Sequence, residues 1–230
     1  MKMSILFVPS WRTLVVFFAA FLLAHVVSAR EIEIGSALKI GTTGFGADVT
    51  FGLVETMNLR AGLNMLSLSF DFEDDDDDAD DDELTLNVKL QTLPLLLDWH
   101  PRRRNFRLSG GIVLNNNKLS FEADAGERDF NDVDYLVDSF DIDVTFNTIS
   151  PYLGIGYGNA IRPGGRWRFA FDFGVMLHGT PKVRGRAVAT NPEQQERLNQ
   201  DVDEELEEFR DEMKGFTFYP VLTLGLSYRF

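Results

Sequence analysis

The chain has 230 residues, no cysteine and a formal net charge of −14. No disulfide framework braces it, and acidic loops are not a nucleic-acid surface, because phosphate contacts need basic patches, so no nucleic-acid partner is expected. Hydrophobic residues make up 44% and aromatic residues 12%, enough for a folded domain.

Residues 1–29 read as a secretory signal peptide. Lys2 and Arg12 give a positive start, Leu14–Leu23 is an uninterrupted apolar run, and Val27-Ser28-Ala29 supplies small residues before a cut after Ala29. The run is too short to cross about 30 Å of hydrocarbon comfortably. The mature chain, 30–230, suits one domain. It carries 20 bases against 36 acids, and the acids cluster. Glu73–Glu83 has ten acids and no base, Asp124–Asp143 eight acids and one base, and Pro192–Lys214 ten acids and three bases. Acidic loops are therefore expected at 73–83, 124–143 and 187–215.

Between these blocks the apolar residues alternate instead of forming long runs, which is the period of a strand. Leu38 and Ile40 share one phase, and Phe45, Ala47, Val49, Phe51 and Leu53 the other, with Gly41-Thr42-Thr43-Gly44 between them. That stretch reads as a tight turn between two strands or a kink in one. Two strands bring the total to eight, the even count expected of a single-chain barrel.

Leu59, Ala61, Leu63 and Met65 alternate, and the phase then slips to Leu66, Leu68, Phe70 and Phe72, which predicts a β-bulge. A second slip is expected at Pro94, between Leu84–Leu90 and Leu93–Trp99. Phe106–Leu114 and Thr148–Gly158 follow. Trp167, Phe169, Phe171, Phe173, Val175 and Leu177 face outward in the next strand, which is expected to continue through Lys182, Arg184 and Arg186, all inward. Phe216–Phe230 closes the chain with aromatics at both ends of its apolar face and aliphatics between. Rings at two interfaces with hydrocarbon between them suit a strand crossing a bilayer. A soluble β-sandwich is the alternative.

Connections at 55–58, 101–105 and 159–165 are short, and the acidic ones are long. Short periplasmic turns and long extracellular loops are the asymmetry of membrane barrels. The last loop is expected to hold a helix over 192–214, capped by Asn191, with Pro192 first and Gly215 at its end. Leu198, Val202, Leu206, Phe209 and Met213 form an apolar stripe, expected over the barrel mouth or at a partner surface.

LLLDWHP (Leu95–Pro101), FRLSGG (Phe106–Gly111), SPYLGIGYGNA (Ser150–Ala160) and the closing YPVLTLGLSYRF resemble small outer-membrane β-barrel proteins of proteobacteria, porin-like or of the outer-membrane protein A type. The resemblance implies an eight-stranded up-and-down antiparallel transmembrane β-barrel, with one helix in the last extracellular loop. It also implies outer-membrane lipid and lipopolysaccharide as surroundings, and a C-terminal strand ending in Tyr228 and Phe230 that the barrel-assembly machinery reads. It implies no reaction, because the family has no agreed activity.

Lys39, Asp48, Arg60, Lys89, Asp98, Arg107, Arg166, Arg168, Asp172 and Arg229 point into the lumen on this register. Eight strands leave room only for side chains, so these charges are expected to form a packed polar plug; a narrow pore or proton path is the functional alternative. Lys182, Arg184 and Arg186 are expected to pair with the acidic loops or to bind an anion. Asp74, Asp75, Asp76, Asp77, Asp78, Asp80, Asp81 and Asp82 are weak candidates for a divalent cation, without the alternation of an EF-hand. Their bland reading is a solvated run of like charges.

Enzymatic chemistry would have to use His100 or His178. His178-Gly179-Thr180 faintly resembles the His-x-Ser pairing of outer-membrane lipid A deacylases, in which the pair faces lipid, whereas His178 reads as inward. His100 is expected in an interfacial aromatic belt beside Trp99. No cofactor motif is present. The expectation is a non-enzymatic structural or surface-interaction protein with a plugged lumen, the alternative a small porin-like channel, and the remote alternative a lipid A-modifying enzyme.

Overall fold

The computed structural model describes residues 2–5, 33–73, 83–101, 105–131 and 133–230. Eight antiparallel strands close into a barrel: β2 (Ile34–Gly41), β3 (Gly44–Val54), β4 (Met57–Glu73), β5 (Glu83–Trp99), β6 (Phe106–Asn115), β10 (Ile149–Tyr157), β11 (Trp167–Met176) and β13 (Tyr219–Arg229). Each pairs with the next in that order, and β13 returns to β2. Gly41 faces Gly44 across a two-residue turn, so the first segment is two strands and not one kinked strand. β1 (Lys2–Ile5), within the expected signal peptide, pairs with Leu68–Asp71 of β4.

The barrel wall is apolar outside and polar inside. Phe169 is 83% exposed, Leu38 71% and Leu153 69%, an arrangement that water would punish. Facing the lumen instead are buried Asp48, Thr50, Arg60, Asn64, Asp98, Arg107, Asp172 and Thr223.

Above the barrel, five strand positions carry on. The outer half of β5 pairs with β7 (Lys118–Ala123), which pairs with β9 (Val133–Thr145), which pairs with β12 (Lys182–Ala189). Thr92 faces Asn115 in the wall and Lys89 faces Lys118 above it, the same antiparallel offset. β6 and β7 are therefore one line of strand. β10 and β9 are likewise continuous: Ile149 faces Leu114, and Thr145 faces Lys118. β2, β3 and β13 stop at the rim, so the upper sheet is an open half-pipe.

Neither predicted bulge exists. β4 and β5 hold one register from Met57↔Trp99 to Glu73↔Glu83, and Pro94 stays in line opposite Val113. The pattern changes because the surroundings change. Leu59 and Leu97 face out from the wall; above it Ser67 and Lys89 face out, and Leu66, Leu68, Phe70, Leu86 and Val88 face in. Outside the hydrocarbon, the outer face needs polarity and the inner face becomes the core.

A real shift occurs where none was predicted. Met176 faces Tyr152, but Lys182 faces Thr145, one residue off the same line. Gly179 absorbs the difference at φ +72, and a Cβ there would lie 2.1 Å from Asn147 Nδ2. A glycine in the left-handed region at a bulge is the conformation only it adopts without strain. Consequently Lys182, Arg184 and Arg186 turn outward and are exposed, not inward as the alternation implied.

The half-pipe has its own hydrophobic core. Segment 124–143, expected as a loop, is folded as β8 (Gly126–Phe130) and most of β9. Helix α1 (Gln195–Glu212) is preceded by a short 3-10 turn at Pro192–Gln194, and Asn191 Oδ1 accepts from Glu193 N at 3.1 Å. Leu198, Val202 and Leu206 of α1 are buried with Phe130, Tyr135, Val137, Val144, Val183 and Ala187. The apolar stripe thus packs on β12 and β8 of the half-pipe. It is therefore covered by the half-pipe's inner face and is not a free partner surface.

Candidate functional site

The waist of the lumen is an ion cluster. Arg60 on β4 places Nη1 3.0 Å from Asp172 Oδ2 and 3.5 Å from Asp48 Oδ2, and Nη2 3.0 Å from Asp98 Oδ1. Arg107 on β6 donates from Nη2 to both oxygens of Asp172 at 2.8 Å. Lys39 on β2 reaches Asp48 Oδ1 at 2.7 Å. Ser109 Oγ donates to Asp98 Oδ1 at 2.6 Å and Thr223 Oγ1 to Asp172 Oδ2 at 3.3 Å. Three cations thus meet three carboxylates, and the cluster is neutral. Buried charge is tolerable only when it is paired and hydrogen-bonded in this way.

The residues above and below complete the filling. Below, Arg107 also donates to the carbonyl of Gly158, and Asn58 Nδ2 donates to Asn159 Oδ1 at 3.3 Å. Above, Asn64 Nδ2 donates to Thr92 Oγ1 at 2.9 Å, and Tyr152 lies across Gly154 and Gly174, where a Cβ would fall 2.5 and 2.3 Å from its hydroxyl. Two cavities flank the cluster, of about 20 Å³ and 30 Å³. Each has room for a water or two, and neither passes a hydrated solute.

Of the ten expected lumen charges, Lys39, Asp48, Arg60, Asp98, Arg107 and Asp172 meet in this cluster. Arg168 is at the lower mouth, donating to the carbonyls of Arg162 and Pro163 at 3.0 and 2.9 Å. Arg229 is also there, 3.9 Å from Glu33. Two expectations fail. Lys89 is exposed on the outer face of the half-pipe, because β5 keeps its register past Pro94. Arg166 precedes β11 in the lower connection and is exposed, with Nη1 3.4 Å from the Tyr228 hydroxyl.

His100 is not part of an aromatic belt. It is 1% exposed at the foot of the lumen, its Nε2 3.0 Å from Asn58 Nδ2, while Trp99 faces out. His178 sits at the junction of barrel and half-pipe, buried, with its ring 4.5 Å from that of Phe146 and 6.4 Å from that of Tyr219. It therefore does not present a His-x-Thr pair to the outside of the wall. Tyr228 and Phe230 meet edge to face at the lower rim, 5.3 Å apart, and Trp167 joins them 4.8 Å from Tyr228. The aspartate run 74–82 and the triple arginine 102–104 lie outside the described residues.

The chain is similar in structure to solved outer-membrane barrels. Acinetobacter baumannii CarO2 matches at a TM-score of 0.54 and 15% identity, over 87% of this chain and all of that one. Acinetobacter baumannii CarO matches at 0.53 and 21%, over 88% and 100%. At such identities the likeness shows the fold. No protein-family model matches the sequence, and no curated protein sequence does.

Sequence reasoning missed the half-pipe as a folded unit. Its signal was present in Val133–Val144, where Tyr135, Val137, Phe140, Ile142 and Val144 supply the apolar face and Asp134, Asp138, Asp141 and Asp143 the polar one. The acidic content suggested a loop, whereas the period was that of a strand with one face in water.

Proposed function

We propose that the chain is a non-enzymatic outer-membrane protein, in which a closed barrel anchors a folded half-pipe at the cell surface as a structural or surface-interaction module. The neutral cluster around Arg60 carries this reading. Three cations and three carboxylates fill the waist where a channel would need water. The outward apolar band fits lipid, and the aromatics at the lower rim fit an interface. On this reading the short connections are periplasmic, the signal peptide is removed after Ala29, and the strand ending in Phe230 is what the assembly machinery reads. Binding specificity then resides in the half-pipe.

Planar-bilayer recording of the purified full-length protein tests the closed lumen. The expected outcome is no steady conductance. Reproducible nanosiemens steps from the wild-type protein would establish the porin-like alternative in its place. Lipid A from a deletion strain should be chemically unchanged, since neither histidine faces lipid with a hydroxyl partner.

A further inference from the structure

The outer face of the half-pipe carries its charges in rows. Cross-strand partners nearest the barrel run Ser67, Lys89, Lys118, Thr145, Lys182. The next row is Ser69, Asn87, Ser120, Asp143, Arg184, and the one above it Asp71, Thr85, Glu122, Asp141, Arg186. The row next to the barrel is purely cationic, and the third row is dominated by acid.

The lowest row is costly as it stands. Lys89 is the direct partner of Lys118, and like charges opposite each other destabilise a sheet. Lys118 Nζ is bridged to Asp143 Oδ1 at 2.8 Å. Lys89 and Lys182 are exposed and form no ion pair among the described residues. A counter-anion outside the protein would relieve that repulsion.

The height of the row identifies the anion. On the outer wall the last apolar pair is Leu93 with Leu114. Gln91 and Asn116 follow, joined at 3.1 Å, and Lys89 with Lys118 comes next. From Gln91, where the polarity inverts, to Lys89 is roughly 7 Å along the strand, or about 5 Å in height at a barrel tilt. Lysine stems reach back toward the interface from there. This is the level of lipid phosphates and not of bulk solvent.

We propose that the row Lys89, Lys118 and Lys182, interleaved with the hydroxyls of Ser67 and Thr145, binds phosphates of lipid headgroups in the leaflet around the barrel. The inference rests on the bilayer placement given above. It goes beyond it in assigning a ligand class to this face.

Purified full-length protein in detergent, titrated with a phosphorylated glycolipid, its dephosphorylated counterpart and inorganic phosphate, with bound species counted by native mass spectrometry, tests it. The Lys89→Gln/Lys118→Gln/Lys182→Gln variant should bind the phosphorylated lipid about tenfold more weakly or worse. Lys89→Gln/Lys182→Gln, which leaves the Asp143 bridge intact, should show most of that loss and covers the case in which the triple variant misfolds. Arg197→Gln/Lys214→Gln, exposed on α1 and in the turn just after it, should bind as the wild type does. Equal binding by wild type and the double variant, or by phosphorylated and dephosphorylated lipid, would overturn the proposal. So would displacement of the lipid by an equal concentration of inorganic phosphate. A protein that inserts into bilayers with a silent lumen, yet shows any of those results, loses this site and keeps the proposed function.

Discussion

Leu95 and Asn87 point the same way from one strand, yet one belongs to the barrel wall and the other to the half-pipe. In the wall, apolar side chains face out and an ion cluster fills the inside. In the half-pipe the outside is Ser, Asn, Lys and Asp, and the inside is a hydrophobic core closed by α1. The strands pass from one regime to the other without a change of register in β4, β5, β6–β7 and β10–β9. The hydrogen-bond ladder is indifferent to the side chains it carries, so backbone continuity costs nothing. What changes is which face the medium penalises. In lipid a charged outward residue loses its hydration, and in water an exposed apolar row loses burial worth roughly 25 cal/mol per Å². The level of Met65 and Gln91, where the polarity inverts, therefore marks the edge of the hydrocarbon.

The most severe way to break the comparison is to attack the wall from within. Arg60→Leu leaves Asp48, Asp98 and Asp172 with fewer cations than charges in a buried site. Removing one partner of such a cluster costs about 3–5 kcal/mol. Denaturant unfolding from phospholipid vesicles should show that loss. Limited proteolysis of 187–215 should show the half-pipe core unaffected in the fraction that still folds. An equal loss of protection there would mean that the two regions are one cooperative unit.

A paired substitution sharpens it. Leu95→Lys and Asn87→Lys add the same charge to the same face of β5. In lipid the first should cost about 2–4 kcal/mol, while the second, a surface change, should stay within about 0.5 kcal/mol. Unfolding of both variants from vesicles measures the difference. Equal costs would place the hydrocarbon edge elsewhere and remove the basis for reading the inversion as a boundary.

The eight strands were legible because alternation survives in every one of them, and the helix because Asn191, Pro192 and Gly215 bracket a five-residue apolar stripe. The inversion was not. Leu66 after Met65 and Leu93 after Leu90 look like slips in a single medium, and only the unbroken register reveals two media. Gly179 hid the opposite case, in which a true one-residue shift flipped Lys182, Arg184 and Arg186. The partners of Arg60 come from β3, β5 and β11, and no spacing in the chain announces that they converge. The docking of α1 was likewise undetermined, because a stripe states that something covers it and not what.

The mildest test probes the hinge between the regions. His178 ends the wall side of the β11–β12 connection, its ring enclosed by Phe146 and Tyr219 and its Nδ1 2.9 Å from the Gly179 carbonyl. Burial depresses its proton affinity below the ordinary histidine value of 6.5, although hydrogen bonds to backbone carbonyls oppose the shift. The unfolded chain therefore holds the proton more tightly than the folded one. By linkage the neutral ring's contribution is complete above about pH 6.5 and declines as pH falls toward the depressed folded value. Thermal melting followed between pH 7.5 and 5 in the wild type and in His178→Gln should diverge only in the acid half of that range, with the wild type losing more (about pH 7.5 and about pH 5 bracket the unfolded value). Protonation forces the ring to seek water and so loosens the junction around it, where Asn147 N donates to His178 O at 3.1 Å and Gly179 N to Thr217 O at 3.1 Å. Parallel melting curves for the two proteins would show the imidazole to be a bystander at the junction.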